Sequence, residues 1–554
     1  MVSDRNVKNA FEGAGGGKMT KEKIEVFDST LRDGAQAEGI SFSVEDKLKI
    51  VKALDALGIS YIEAGNPGSN PKDLEFFERV RGMKLVNAKL TAFGSTRRPD
   101  TPVEEDANVQ SLLEANSEVI AIFGKSWDFH VTEIIKTTLD ENLNMIMDTI
   151  SYFKSKGKEV IFDAEHFFDG YKANAQYALK ALEAAVKGGV DWLVLCETNG
   201  GAFPDDVYSI TKTVCEKFPV KIGIHCHNDG GMAVANTIMA VKAGATQVQG
   251  TYIGFGERCG NVNLSTVIAN LQLKRSYQCI PSNQLMNLTP TARFVAEVSN
   301  ISLNEREPYI GNSAFAHKGG MHIDGVMKAN HSFEHVNPDK VGNERRILMS
   351  EVSGKTTILS KIQKINPNIK KNSLETQEIM NCLKKMEHEG YQFEGAESSF
   401  ELMIRKHLGK YKPFFQLKHY KIIGEQPSQD GDSSTAVVKL TVEGKDALTV
   451  AEGNGPVNAL DKALRKALEE FYPVLKEVYL SDYKVRVVDT KKATGARVRV
   501  LIESTDGHDV WTTVGLSTDI IEASWIALVD SIEYKLLKEI EKKANIYLVE
   551  QRIN

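Results

Sequence analysis

From Ile24 onward the chain alternates between two hydropathy patterns. Short runs of consecutive apolar residues recur at 24–27, 61–64, 90–93, 119–123, 160–162, 192–195, 222–224 and 248–253. Between them lie amphipathic stretches, such as 45–57 and 174–187, in which apolar residues return every three or four positions. Runs without alternation suit parallel strands buried on both faces, and the intervening period suits helices that cover them. Eight strand signals, each followed by a helix signal, predict a (β/α)8 TIM barrel. The competing architecture is an open, doubly wound sheet. It calls for fewer strands or a glycine-rich turn after the first one, where this chain has Leu31-Arg32-Asp33-Gly34.

After about residue 286 the strand signals stop. Residues 287–399 read as a helical linker subdomain, with turn-rich breaks near Pro308 and Pro338. From 400 to 554 a strand–strand–helix pattern occurs twice. The segments 437–442 and 447–450 precede a helix starting at Val457, and 496–502 and 510–514 precede one starting at Ile520. Such a duplication predicts a small α+β domain that pairs with itself. The expected organisation is a leader over 1–18, a barrel over 19–286, the linker subdomain over 287–399 and the duplicated domain over 400–554.

Composition narrows the class without naming a chemistry. A chain of 554 residues needs two or three domains. Sixty-eight Lys plus Arg against 74 Asp plus Glu leave a net charge of -6, which argues against nucleic acid as the main partner. No apolar stretch approaches membrane-spanning length, so no membrane partner is expected. The six cysteines are widely spaced and read as free thiols, and with no signal peptide the expected location is the cytoplasm. The run Gly13-Ala14-Gly15-Gly16-Gly17-Lys18 is not a phosphate loop: the first required glycine is missing and Met19 stands where Ser or Thr would bind magnesium.

Barrel enzymes place their chemistry where strands end at the C-terminal face. Here those ends carry Arg32-Asp33, Asp163-Ala164-Glu165-His166, Glu197-Thr198-Asn199-Gly200, His225-Cys226-His227-Asn228-Asp229 and Gly256-Glu257-Arg258-Cys259-Gly260-Asn261. His225 and His227 are two apart in a strand, so both imidazoles point to one face and Cys226 to the other. Asp33 supplies a carboxylate across the mouth. Two imidazoles and one carboxylate leave coordination positions open, as a catalytic ion requires, and suit zinc, manganese or cobalt. Arg32 reads either as a rim salt bridge or as a cation that stabilises an enolate or alkoxide. Gly254-x-Gly256 follows the eighth strand and lacks the spacing of a dinucleotide fingerprint.

The segments Phe27-Asp28-Ser29-Thr30-Leu31-Arg32-Asp33-Gly34 and Ile224-His225-Cys226-His227-Asn228-Asp229 resemble the metal-dependent acyl-CoA condensing barrels. That family holds the 2-isopropylmalate, homocitrate and citramalate synthases and, more distantly, HMG-CoA lyase. The resemblance runs from about residue 20 nearly to the end. Residues 32–39 and 63–73 are most similar to the long-form (R)-citramalate branch; the isopropylmalate enzymes usually carry Glu where Ala35 stands and differ over 66–73.

The resemblance implies acetyl-CoA and a small 2-oxo acid, pyruvate, as substrates, with water completing the reaction to (R)-citramalate and CoA on the way to isoleucine. It implies a divalent ion (zinc, manganese, magnesium or cobalt) on Asp33, His225 and His227, with Asn261 a direct or water-mediated ligand. Arg32 would polarise the ketone, Thr198 would bind the substrate carboxylate and Glu165 would lie on the acetyl-CoA side. In Ala316-His317-Lys318-Gly319-Gly320-Met321-His322-Ile323-Asp324-Gly325, His322 fits the general base, and His317 is the weaker candidate. The repeated domain implies a homodimer inhibited by a branched-chain amino acid, isoleucine ahead of leucine. The alternatives are a 2-isopropylmalate synthase and an amino-acid-sensing protein on an inactive barrel.

Overall fold

In a computed structural model, which describes residues 21–348, 355–370, 372–424, 433–488 and 495–553, the eight apolar runs form one closed parallel barrel. The expected leader, with its Gly-Lys run, lies outside the described residues. The strands are β1 (Glu25–Asp28), β2 (Tyr61–Gly65), β3 (Lys89–Ser95), β4 (Val119–Lys125), β5 (Glu159–Glu165), β6 (Trp192–Glu197), β7 (Lys221–Cys226) and β8 (Gln247–Gly250). β8 returns to pair with β1, Glu25 beside Gln247 and Asp28 beside Gly250. That closure excludes the open sheet.

Alternation along each strand sorts the side chains into two layers. Phe27, Tyr61, Val119, Ile161, Trp192 and Val194 fill the barrel interior. Their neighbours Val26, Ile62, Ile120, Phe162 and Leu193 face outward into a larger apolar layer shared with the helices. Those helices are α1 (Val44–Leu57), α2 (Pro71–Val80), α3 (Ala107–Glu114), α4 (Leu139–Ser155), α5 (Phe167–Lys187), α6 (Pro204–Lys217), α7 (Ala233–Ala243) and α8 (Leu264–Lys274). α1 starts where Ser43 and Asp46 cap each other reciprocally, and it stops at Gly58, whose φ of 100° admits the left-handed turn.

Two barrel elements depart from the sequence pattern. β8 stops at Gly250, because Thr251 N–H donates to Val262 O and Tyr252 N–H to Thr30 Oγ1, which turns the chain. α5 starts at Phe167, not at 174; Asn174 interrupts it (φ -151°, ψ 80°), and its Oδ1 accepts from Tyr177 N–H, capping the second half. The periodicity had registered that second half alone.

The chain separates into two compact units. One runs through Phe315 and takes in Val336–Arg345; the other comprises Ala316–His335 and Arg346–Asn554. Within the first, Asn343 Nδ2 donates to the carbonyls of Tyr309 and Gly311, both at 2.9 Å. The second holds the helices Gly320–Lys328, Lys355–Ile365, Leu374–Glu389 and Glu397–His407, followed by two three-stranded antiparallel sheets. Each repeat has one strand more than its pattern predicts. Phe415–Gly424 pairs with Ser434–Val442 and Lys445–Gly453 ahead of the helix Pro456–Leu468, and Tyr479–Val487 pairs with Val498–Thr505 and Val510–Ser517 ahead of the helix Ile520–Ile553. The two extra strands are sheet edges, mostly exposed, so no apolar run marks them. Ala436, Val438 and Leu440 bury against Leu460 and Leu464 of the first repeat's helix.

No described helix is long and apolar enough to cross a membrane. All six cysteines are free thiols.

Candidate active site at the barrel mouth

The loop after β1 is folded back on Ser29. Arg32 N–H and Gly34 N–H donate to Ser29 O, and Asp33 N–H donates to Ser29 Oγ at 3.2 Å. This sets Arg32 and Asp33 side by side at the mouth. Arg32 Nε donates to Glu63 Oε2 at 2.7 Å, its Nη1 lies 3.5 Å from Asp33 Oδ2, and its guanidinium carbon stands 3.7 Å from the centroid of the Phe93 ring. Glu63 is fully buried and also accepts from Ser29 Oγ. Burial opposes the charge on Arg32, but Glu63 and Asp33 outweigh it and raise its pKa further.

Glu63 faces the barrel interior by alternation with Tyr61, and β2 becomes irregular only after it: Glu63 pairs with Thr91 and Gly65 with Ala92, leaving Ala64 over. The displaced Ala64 carbonyl accepts from the buried Lys47 Nζ at 2.7 Å, and Lys47 is in turn paired with Asp73.

Asp33, His225 and His227 converge, their candidate ligand atoms all within 4.8 Å of one another. Asp33 Oδ2 lies 3.4 Å from His225 Nε2 and 3.9 Å from His227 Nε2. All three residues are buried. Burial would raise Asp33, but Arg32 and the adjacent His225 hold its carboxyl well below the usual range. Burial works against a charged His225, yet the adjacent Asp33 carboxylate raises its pKa. His227 is pushed down to about 4 by burial and by His225. Cys226 belongs to the outer apolar layer, as the strand alternation predicts.

His227 lies just beyond β7 and forms an isolated bridge with Asn261. The loop carrying Asn261 is tied down by Asn261 N–H to Gly254 O, Val262 N–H to Cys226 O and Asn228 N–H to Gly260 O. A side chain at Gly260 would collide with Gly254 O, 2.1 Å from an ideal Cβ, and its φ of 86° is left-handed. Asn261 is 2% exposed, and among the described residues neither its amide oxygen nor its amide nitrogen has a partner; His227 Nδ1 also has none. An ionised carboxylate, a neutral imidazole and an unspent buried amide are a donor set that fits a divalent cation with nitrogen and oxygen ligands.

A cavity of about 230 Å³ opens over these groups, lined by Arg32, Asp33, Glu165, Thr198, His225 and His227. Glu165 is ion-paired with Lys125. Thr198 Oγ1 accepts from His166 N–H at 3.0 Å, which leaves its own proton for a ligand. Phe93 and Phe123, stacked at 5.5 Å, form the apolar side of the cavity. Arg258 holds Asp229 through Nε at 2.8 Å and Nη2 at 3.0 Å, and donates to Thr198 O at 2.6 Å.

The site thus gathers six of the sequence-predicted residues in one cavity, with Asn261 bridged to His227. His322 belongs to the second unit, on the helix Gly320–Lys328, where it is exposed and stacked on Phe333 at 4.3 Å. His317 is buried, its Nε2 3.1 Å from Glu334 Oε1. Sequence reasoning missed Glu63, Phe93, Phe123 and Gln249. The signal for two of them was present: a carboxylate inside the apolar run 61–64 and an amide in the run at 248–253.

Residues 23–295 match the HMGL-like family, 309–390 the homocitrate synthase post-HMGL domain-like family and 394–536 the LeuA allosteric (dimerisation) domain. The chain is 54% identical over 523 residues to the (R)-citramalate synthase of Aquifex aeolicus (strain VF5), spanning 94% of this chain and 99% of that protein. It is 50% identical to the (R)-citramalate synthase of Geobacter sulfurreducens, over 94% of this chain and 98% of that protein. Identity to the probable 2-isopropylmalate synthase of Methanopyrus kandleri is 29%, over 92% and 98%.

Proposed function

This chain belongs to the (R)-citramalate synthase family, and we propose that the cavity at the barrel mouth is where it condenses acetyl-CoA with pyruvate and water to (R)-citramalate and CoA. The observation that carries the site is the convergence of Asp33, His225 and His227 beside a half-buried, doubly anchored Arg32. Asp33, His225 and His227, with Asn261, would hold a zinc, manganese, magnesium or cobalt ion. When bound, such an ion supplies Lewis acidity at the ketone oxygen of the 2-oxo acid.

The chain's own groups account for the rest. Arg32 points a permanent positive charge at the oxygen on which negative charge develops, and Glu63 keeps that charge from swinging away. Thr198 donates its hydroxyl proton to the substrate carboxylate. The methyl group of a thioester is a very weak carbon acid, so its proton needs a base: His322 takes that role, and Glu165 stands on the acetyl-CoA side. Hydrolysis of the thioester product then makes the condensation irreversible.

Phe93 and Phe123 favour pyruvate over 2-oxoisovalerate, because two stacked rings leave little room beside a small acyl methyl. An inactive, purely sensing barrel would have no reason to keep buried charges converged in this way. The match to the LeuA allosteric (dimerisation) domain over 394–536 supports a homodimer under feedback; the effector in this reading is a branched-chain amino acid, isoleucine ahead of leucine, in isoleucine synthesis in the cytoplasm.

The test is product analysis. With acetyl-CoA and pyruvate, the purified protein should release free thiol and (R)-citramalate one for one. Thiol released without citramalate, or the S enantiomer, would refute the assignment.

A further inference from the structure

β7 and β8 are in register so that His225 sits directly beside Gln249. Gln247 and Gln249, two apart on β8, both face the barrel interior, and both are fully buried. An amide there is costly unless its hydrogen bonds are made, and those of Gln249 are. Its Oε1 lies 3.2 Å from His225 Nδ1, and its Nε2 lies 3.1 Å from Gln247 Oε1 and 3.4 Å from Asp163 Oδ1.

These contacts form a directed chain. Gln247 Oε1 and Asp163 Oδ1 accept from the amide's N–H groups, and its oxygen faces His225. An oxygen there accepts a proton from Nδ1, so the neutral His225 carries its proton on Nδ1 and its lone pair on Nε2. Nε2 is the atom 3.4 Å from Asp33. His227 has no counterpart, since among the described residues its Nδ1 has no hydrogen-bond partner. One imidazole of the pair is therefore held by the fold and the other is not.

We propose that Gln249 is a positioning residue for metal binding: it sets the tautomer and ring orientation of His225 so that Nε2 is presented, bare, toward Asp33. The inference rests on the metal-site reading above and adds a residue to it. Outer hydrogen bonds to a ligating imidazole fix its tautomer and raise its basicity, and losing one typically weakens metal affinity about 10- to 100-fold. Gln249 fills this role from an adjacent strand, with Gln247 and Asp163 as its backing.

Two variants separate positioning from simple packing. Gln249→Met keeps the volume and removes the acceptor. Gln249→Glu keeps an acceptor for His225 Nδ1 but loses the N–H groups that Gln247 and Asp163 use, and it adds a buried charge. The measurements are Zn²⁺ and Mn²⁺ affinity of the metal-stripped, full-length protein by competition with a chromogenic chelator, and the Tm of the same stripped samples. Gln249→Met should bind both ions about 10- to 100-fold more weakly, with a Tm below that of wild type because its three partners lose their hydrogen bonds. Gln249→Glu should bind within about threefold of wild type or tighter, although its Tm is the lower of the two.

That inversion of order is the diagnostic result, because a merely structural residue would lose affinity in step with Tm. Wild-type affinity in Gln249→Met, or affinity falling with Tm across both variants, overturns the proposal. Should Gln249→Met fail to fold, Gln249→Glu decides alone: near wild-type affinity upholds the proposal and a loss above about tenfold overturns it. If the unmodified protein binds neither ion, the metal-site reading itself falls, and this inference falls with it.

Discussion

The guanidinium of Arg32 is stacked on Phe93, its central carbon 3.7 Å from the ring centroid. The polar and apolar halves of the cavity therefore share a wall. Phe93 orients the cation and, with Phe123 stacked on it at 5.5 Å, bounds the apolar side of the cavity, where the proposed reading puts the substrate's acyl group.

Phe123 helps set that boundary, while Arg32 itself stacks on Phe93. Phe123→Ala should raise the ratio of kcat/KM for 2-oxoisovalerate over pyruvate by about 10-fold or more, since a methylene's worth of pocket space is worth roughly 1–3 kcal/mol. Phe93→Ala should change the ratio similarly and also lower kcat with pyruvate, because Arg32 loses its support. An unchanged ratio in both variants would mean that the rings do not define the pocket.

Glu63 is buried and holds Arg32 Nε at 2.7 Å. Glu63→Gln keeps the shape and removes the charge. Breaking one side of a buried pair costs about 3–5 kcal/mol, so the unfolding midpoint in urea should fall clearly. Turnover should drop at least about tenfold while bound metal stays at the wild-type level. Metal loss in parallel with turnover would place Glu63 in ion binding instead.

His227→Ala removes one of three converging ligands. Bound metal after dialysis, measured by elemental analysis, should fall to background, and thiol release should drop by a factor of about 100 or more. Unchanged metal content and turnover would leave the three-residue cluster without a role.

Asp28 supplies a pH test. It is fully buried, its Oδ2 has no partner among the described residues, and burial pushes its carboxyl up from 3.8 to about 7. The folded state then holds a proton that the unfolded chain releases near 3.8. The stability Asp28 contributes is complete below that value and is lost as pH rises toward about 7. Asp28→Asn should thus gain on wild type by about 2–4 kcal/mol between pH 4 and 7, and level off above. His227, pushed down to about 4, contributes the opposite slope over 4 to 6.5, but it is common to both proteins and cancels in the difference. A difference that does not vary with pH would contradict the neutral form of Asp28.

The barrel was legible because parallel strands buried on both faces leave continuous apolar runs, and all eight runs became strands. The strands 415–424 and 479–487 were not, because an edge strand with little buried surface has no hydropathy signature. At the site, His225 and His227 were legible from a two-residue spacing, which fixes a shared face. Asp33 and Arg32 followed from their place after the first strand. The roles of Glu63, Phe93 and Gln249 were not legible even where a polar residue stood out in an apolar run: each acts across strands, through an ion pair with Arg32, a ring beneath Arg32 or a register neighbour, and none of these relations is local in sequence.

The most direct test of the account compares two 2-oxo acids on the unmodified protein. CoA thiol release with acetyl-CoA should show kcat/KM for pyruvate exceeding that for 2-oxoisovalerate by at least about tenfold, and metal removal should abolish both. Equal or greater efficiency with the branched acid would contradict the assignment of pyruvate and of Phe93 and Phe123 as the walls that select it.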